Sequence, residues 1–229
     1  MKFGVVTFPG SNCDEDMIYV LETILEQEVE RLWHKDTDLK GVDFVVLPGG
    51  FSYGDYLRSG AIAKLSPIMG SVIEHANKGG YVMGICNGFQ ILTESGLLEG
   101  ALLHNDNQKF ICKNVYLKPA SAASAMTKDL DQAKSYKIPI AHGEGRYYAS
   151  EEVIKKLEDN NQVLFRYADA DGSVSTEVNP NGSINNIAGI CNANRNVFGM
   201  MPHPERAADG ALANIDGVEL FRSLLNNCK

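Results

Sequence analysis

The feature that most constrains the fold is a turn in which a cysteine lies between two glycines. The run Tyr81–Ile85 is short and apolar, as in a strand that is covered on both faces, and the residues after Cys86 have helical character. Gly84 and Gly88 stand two residues before and two residues after the cysteine. A strand and a helix that meet in such a sharp turn leave no room for a β-carbon, so glycine is favoured at both positions. The pattern predicts an α/β fold with one reactive side chain at the turn.

Cys86 is therefore a candidate nucleophile. A cysteine at the start of a helix lies at the positive end of the helix dipole, which favours the thiolate. The alternative is a buried structural cysteine, which the flanking glycines make less favoured. The chain also contains a near copy, Gly189–Ala193, in which Ala193 replaces the second glycine and a cluster of turn residues replaces the helix. We interpret Cys191 of this copy as structural.

Strand-like apolar runs alternate with helical segments along the chain. The strand-like runs lie at 2–8, 28–33, 43–47, 81–85, 110–117, 163–167, 187–191 and 197–201. The helical segments lie at 14–26, 61–76 and 215–226. The alternation predicts a mainly parallel sheet with helices on both faces, in a single domain over residues 1–229. The later strands are expected to form an antiparallel extension. Segment 120–133 is expected to be a polar connector, with a solvated helix or surface excursion as the alternative.

Composition argues against several classes of function. The 229 residues carry a formal net charge of −8, which disfavours binding to nucleic acid or to an anionic membrane face. No apolar run approaches the roughly 20 residues that span a bilayer, and the first residues resemble a strand rather than a signal peptide. The five cysteines are scattered and lack metal-ligand spacing. We expect a cytoplasmic protein with reduced thiols and no metal site.

A cysteine nucleophile needs a base and a group that orients the base. Among the five histidines, His203 is favoured because Glu205 follows it at a spacing of two. Pro204 favours an extended backbone at His203, and residues two apart in an extended segment face the same side. Glu205 would then hold one ring nitrogen while the other faces the thiol. The alternative is a surface turn with solvated side chains.

His142 is the main rival to His203. It lies with Glu144 in the glycine-rich segment 140–146. Because bends at glycine would place these side chains less reproducibly, we interpret His142 and Gly143 as substrate or loop contacts. The three remaining histidines, at 34, 75 and 104, are interpreted as ordinary polar surface residues.

A glycine-rich loop follows the strand-like run 43–47. Gly49 and Gly50 allow backbone N–H groups to approach a ligand closely. Attack of a thiolate on an amide places negative charge on the carbonyl oxygen, which needs two hydrogen-bond donors. We assign the N–H of Asn87 and one N–H from Gly50 or Phe51. A plain turn and a phosphate-binding loop are the alternatives, although the sequence lacks the phosphate-loop pattern.

Together these clusters resemble the class I glutamine amidotransferase family. They match G-x-C-x-G-x-Q at the turn, a preceding P-G-G loop and H-x-E near the C-terminus. The runs at 8–14, 48–58, 141–145 and 202–206 are similar to those of the separate glutaminase subunits of phosphoribosylformylglycinamidine synthase. The resemblance implies a flavodoxin-like fold, Cys86 as nucleophile, His203 as base and then acid, and Glu205 as orienting carboxylate. It also implies that Gln90, four residues past the cysteine on the same helix face, contacts L-glutamine.

The resemblance further implies partners. Ammonia from glutamine is expected to pass to a separate synthetase subunit that uses ATP and Mg²⁺ to convert formylglycinamide ribonucleotide to formylglycinamidine ribonucleotide, with a small third subunit. Because the sequence has no nucleotide-binding loop, no cofactor is expected in this chain. Three alternatives remain: a glutaminase that serves another synthetase, a cysteine hydrolase of the same fold, and a non-catalytic binding module.

Overall fold

The structure is a computed structural model that describes residues 1–228. Its α-helices are α1 (Asp14–Tyr19), α2 (Pro67–Asn77), α3 (Asn87–Glu94), α4 (Glu151–Asp159) and α5 (Asp216–Asn227). Its strands are β1 (Lys2–Thr7), β2 (Glu28–Trp33), β3 (Phe44–Leu47), β4 (Tyr81–Ile85), β5 (Ala101–Leu103), β6 (Ile111–Pro119), β7 (Tyr136–His142), β8 (Arg146–Tyr148), β9 (Val163–Ala168), β10 (Ile187–Cys191) and β11 (Val197–Met200). No helix within the described residues is long and apolar enough to cross a membrane.

The chain divides into two compact units. The first comprises Met1–Leu98 together with Asn196–Gly199, and the second comprises Glu99–Arg195 and the chain from Met200 onward. The segment Asn196–Gly199 thus belongs to the first unit, although the chain on either side of it belongs to the second. The single domain over residues 1–229 stays a prediction.

The first unit contains five strands in the order β2-β1-β3-β4-β11. Strand β1 pairs in parallel with β2 and β3, and β3 pairs in parallel with β4. All four residues of β3 are fully buried, as expected for a short apolar strand covered on both faces. Asn196 ties β11 to this sheet: its side chain donates to the carbonyl oxygens of Ala76 and Gly80, and its own carbonyl accepts from Val82.

The sequence predicted one continuous helix over 61–76. This is wrong in one respect, because the structure breaks the helix at Ser66. A short 3₁₀ turn covers Ala63–Leu65, Ser66 is extended with ψ 141°, and α2 then begins at Pro67. Proline disfavours helical geometry in the residue before it. It is well suited to the first position of a helix, where its missing N–H has no partner to lose. Pro67 therefore begins a new helix rather than continuing the earlier one.

The second unit is built on antiparallel strands in the order β10-β9-β6-β7, with β5 and β8 as a separate antiparallel pair. The α/β class and the antiparallel pairing of the later strands are thereby confirmed. Segment 120–133 forms turns, without a helix. It is less solvated than a polar connector would be, since Met126 and Thr127 are fully buried.

Candidate active site

Cys86 lies in the turn between β4 and α3, so the predicted strand, turn and helix are all present. Its backbone has φ 51° and ψ −106°, which is strained for a residue with a β-carbon. Such strain persists only where the surrounding structure enforces it, and it clusters at functional sites. The Cys86 residue is 5% exposed.

The two flanking glycines enforce this turn. A β-carbon on Gly84 would lie 2.5 Å from the carbonyl carbon and oxygen of Gly88. A β-carbon on Gly88 would overlap the backbone carbonyl of Leu47 in β3. Because the nearest obstacles at both positions are backbone carbonyl atoms, no rotamer change relieves them. The glycine spacing thus packs α3 directly against β3 and β4.

Cys191 contrasts with Cys86 despite the shared Gly-Ile-Cys-Asn sequence. It is the last residue of β10 and is followed by a turn rather than a helix. Burial raises the pKa of the Cys191 thiol to about 11. The thiol is therefore protonated at neutral pH, and a protonated thiol is a poor nucleophile.

The glycine-rich loop runs beside the first loop of the chain. The N–H of Phe51 donates to the carbonyl oxygen of Gly10 at 2.9 Å, and the N–H of Cys13 donates to that of Gly49 at 3.2 Å. Gly50, between these bonds, has φ 147°, and a β-carbon there would lie 2.8 Å from the Cα of Ser11. The Phe51 N–H is therefore engaged, whereas the Gly50 N–H takes no part in this ladder.

Asn87 connects the loop to the cysteine turn. Its Oδ1 accepts from the N–H of Ser52 at 3.1 Å, and its Nδ2 donates to Gln90 Oε1 at 2.9 Å and to Asp55 Oδ1 at 3.2 Å. Asn87 and Gln90 are 2% and 5% exposed. The structure thus brings Asn87, Gln90 and the loop together beside Cys86. Sequence reasoning did not single out Asp55, although it lies in the run 48–58 used for the resemblance.

In the second unit, His203 and Glu205 form a buried pair. The His203 Nδ1 lies 2.6 Å from Glu205 Oε1, and the residues are 1% and 3% exposed. The backbone at His203 is extended, with φ −103° and ψ 86°, and its N–H donates to the carbonyl oxygen of Pro139 at 2.8 Å. A carboxylate acceptor places the ring proton on Nδ1, which leaves Nε2 with a lone pair suited to a base.

His142 is the last residue of β7 rather than part of a glycine bend. Its Nδ1 lies 3.1 Å from Asn105 Oδ1. The Asn105 amide nitrogen donates to the carbonyl oxygens of His142 and Lys109, which identifies Oδ1 as the acceptor. The His142 proton therefore lies on Nδ1. Asn105 is 37 residues away from His142 in sequence, and no local signal marked it.

Burial and the neighbouring charge of His203 lower the pKa of His142 to about 4. His142 is therefore neutral at pH 7, with a lone pair on Nε2. The ring packs against the backbone of Gly145, where a β-carbon would overlap the imidazole. Gly143 is less constrained, since a β-carbon there would meet only Phe110 at 3.8 Å.

Known proteins resemble this chain over its whole length. The family model of the CobB/CobQ-like glutamine amidotransferase domain matches residues 1–220. A protein named phosphoribosylformylglycinamidine synthase subunit PurQ from Synechocystis sp. is 57% identical over 222 residues, which cover 97% of this chain and 99% of that protein. The protein of the same name from Aquifex aeolicus is 55% identical over 227 residues, covering 99% of this chain and 100% of that protein.

Solved structures agree with the sequence matches. A chain in the structure of PurLQS from Thermotoga maritima is 42% identical with a TM-score of 0.87, covering 100% of this chain and 99% of that one. A glutamine amidotransferase from Thermotoga maritima has a TM-score of 0.59, covering 100% of this chain and 97% of its own, and at 14% identity it supports the fold alone. The chain belongs to the family of CobB/CobQ-like glutamine amidotransferase domains.

Proposed function

We propose that this chain is the glutaminase subunit of a phosphoribosylformylglycinamidine synthase. Two relatives named phosphoribosylformylglycinamidine synthase subunit PurQ are more than half identical to it over 99% and 100% of their length. The observation that carries the glutaminase chemistry is the strained cysteine turn, because φ 51° at Cys86 places a thiol at the first turn of a helix. The family to which the chain belongs performs this chemistry on glutamine.

The first half-reaction forms a thioester. The thiolate of Cys86 attacks the side-chain amide carbon of L-glutamine, and the electron pair of the carbonyl bond moves to oxygen. The N–H groups of Gly50 and Asn87 stabilise this oxyanion; Gly50 is preferred over Phe51 because the Phe51 N–H already donates to Gly10. Loss of one such donor typically lowers the rate by about 10²–10³-fold.

His203 moves the proton in both directions. It takes the proton of the Cys86 thiol to form the attacking thiolate, and it later gives that proton to the departing nitrogen, so that the carbon–nitrogen bond breaks and ammonia leaves. A water molecule, deprotonated by His203, attacks the thioester carbon, and glutamate departs as the Cys86 sulfur recovers a proton. Glu205 holds the ring through Nδ1 at 2.6 Å and stabilises the charged imidazolium. Gln90, His142 and Gly143 are the proposed contacts to the glutamine substrate.

The ammonia is used by a partner. We assign ATP, Mg²⁺ and the amidation of formylglycinamide ribonucleotide to a separate synthetase subunit, accompanied by a small third subunit. The support is the 42% identical chain found in the structure of PurLQS from Thermotoga maritima. We also propose a cytoplasmic location, in keeping with the odd number and scattered positions of the five cysteines.

The test compares two cysteines that share the same local sequence. Cys86→Ala should abolish glutamine-dependent amidation by the chain assembled with its synthetase, because no thioester can form. Cys191→Ala is the matched control and should retain activity. A chloroketone analogue of glutamine should add covalently to Cys86, as mapped by mass spectrometry. Full activity of the Cys86 variant, or labelling at another cysteine, would refute the mechanism.

A further inference from the structure

His34, interpreted from sequence as a surface residue, is buried. It is 4% exposed, and its Nδ1 lies 2.6 Å from the phenol oxygen of Tyr53. The same phenol oxygen lies 2.9 Å from the hydroxyl of Ser66. Burial and the charge of Lys35 lower the pKa of His34, so the ring is neutral at pH 7 and can accept a hydrogen bond at Nδ1. In either tautomer of His34, the phenol bridges the two groups.

The backbone at Tyr53 is strained. Tyr53, Gly54 and Asp55 have φ values of 57°, 69° and 52°, which is a run of three left-handed residues. Residues with a β-carbon adopt this geometry at a cost, and then singly rather than in succession. Strain of this kind persists only when surrounding contacts determine the conformation. The two hydrogen bonds of the Tyr53 phenol are such contacts.

Tyr53 is also bonded through its backbone to the loop that carries Gly50. Its N–H donates to the carbonyl oxygen of Pro9 at 2.6 Å, and the Gly54 N–H donates to that of Phe51 at 2.7 Å. Two neighbouring residues hold the loop on the C-terminal side of Gly50. The N–H of Ser52 donates to Asn87 Oδ1, and the phenol of the next residue, Tyr53, bonds to His34 and Ser66. Gly50 lies three residues before Tyr53.

We propose that Tyr53 is a positioning residue for the oxyanion donor, acting through its hydrogen bonds to His34 and Ser66. This inference rests on the proposed function. The phenol holds the strained loop in one conformation, and the loop in turn aims the Gly50 N–H at the developing oxyanion. Tyr53 itself touches no reacting atom. Its contribution is expected in the transition state, where the oxyanion exists, rather than in the binding of glutamine.

The first measurement is the steady-state kinetics of Tyr53→Phe in the assembled enzyme. Loss of the phenol oxygen should lower kcat by about 10–100-fold with little change in KM, because the donor is displaced rather than removed. Tyr56→Phe is the matched control: it lies in the same loop, but Tyr56 is 74% exposed. Ser66→Ala, which removes one of the two bonds, should give a smaller loss.

The second measurement separates positioning from a merely structural role. Glutamate γ-semialdehyde forms a tetrahedral hemithioacetal with a cysteine thiol and so carries the oxyanion, whereas L-glutamate does not. Tyr53→Phe should weaken inhibition by the aldehyde by a factor similar to its loss in kcat. Its inhibition by glutamate should be unchanged. Thermal unfolding of each variant, followed in parallel, shows whether the assays are made on folded protein.

The outcomes are distinct. If Tyr53→Phe is folded and its kcat and aldehyde inhibition equal those of the wild type, the inference is overturned. The inference is also overturned if the substitution weakens inhibition by the aldehyde and inhibition by glutamate to the same extent, because a general loss of structure explains that result. The proposed function has a separate test. It is refuted if Cys86→Ala retains glutamine-dependent activity, and the result for Tyr53→Phe does not affect that conclusion.

Discussion

Gly84→Ala tests the claim that the cysteine turn depends on backbone contact. The added β-carbon would lie 2.5 Å from the Gly88 carbonyl group, whereas ordinary contact begins at 3.4 Å. Helix α3 must therefore move away from β4 by about 0.9 Å. Overpacking of this kind costs about 1–3 kcal/mol. The upper end is expected because the nearest obstacle is a backbone carbonyl group, although the Leu92 side chain, at 2.7 Å, can adjust.

The same displacement moves the reacting sulfur. Cys86 lies between the two elements that are forced apart, and misplacement of a reacting group by about 1 Å costs roughly 10²-fold in rate. For a chain of this size, about 3 kcal/mol corresponds to a Tm lower by roughly 6–12 °C. We expect Gly84→Ala to show both the lower Tm and the lower rate. Calorimetry measures the Tm, and glutaminase activity is measured at a temperature well below the new Tm.

Gly70→Ala is the matched control. Gly70 lies in the interior of α2, and a β-carbon there would meet nothing within 4 Å. Alanine is favoured over glycine in a helix by about 0.5–1 kcal/mol, so this variant should be slightly more stable and fully active. If Gly84→Ala behaves like Gly70→Ala in both assays, the steric account of the turn is wrong.

Three further predictions concern the second unit. Glu205→Gln should lower kcat by about 10²–10⁴-fold, because the amide stabilises the His203 imidazolium poorly; a kcat near that of the wild type would contradict the pairing. Folding lowers the pKa of His142 from 6.5 to about 4. Between pH 6.5 and pH 4 the His142 ring is therefore protonated in the unfolded chain but not in the folded one. The folded state loses stability relative to the unfolded state as the pH falls through this range. The free energy of unfolding should drop by about 2 kcal/mol between pH 7 and pH 5 from this residue, and His142→Asn should remove that part of the urea-unfolding difference. Gly145→Ala should destabilise the protein by about 1–3 kcal/mol through overlap with the His142 ring, whereas Gly143→Ala should be tolerated; equal Tm values for the two would count against this packing.

The sequence predicts most accurately those strands whose residues are nearly all apolar and buried. Strands β4 and β10, which are almost wholly buried, have the bounds that the apolar runs predicted. Helix α4 was missed although Ser150 accepts from the N–H of Val153 and two acidic residues follow it, a recognisable helix start. Strand β7 was missed for a better reason: it contains Pro139, which argues against a strand. It lies at the end of the order β10-β9-β6-β7, where proline is tolerated.

The site was predictable where its chemistry is local in sequence. Gly84, Cys86 and Gly88 share one turn, and His203 and Glu205 share one extended segment, so spacing alone relates them. Asn105 and Tyr53 could not be found this way, because their partners lie 37 and 19 residues away. His34 was interpreted as a surface residue because its neighbours in sequence are polar. Its burial depends on residues that only folding brings to it.

The placement of β11 bears on how the chain folds during synthesis. Residues 1–98 leave the ribosome first, but the strand that pairs with β4 is supplied by Asn196–Gly199. At about 5–20 residues per second, the intervening stretch of roughly 100 residues takes on the order of 5–20 s. Throughout that interval the edge of β4 is open, and open edges recruit other strands. Nascent chains of this protein are therefore expected to need protection by chaperones until β11 emerges, and fragments that end near residue 98 are expected to aggregate.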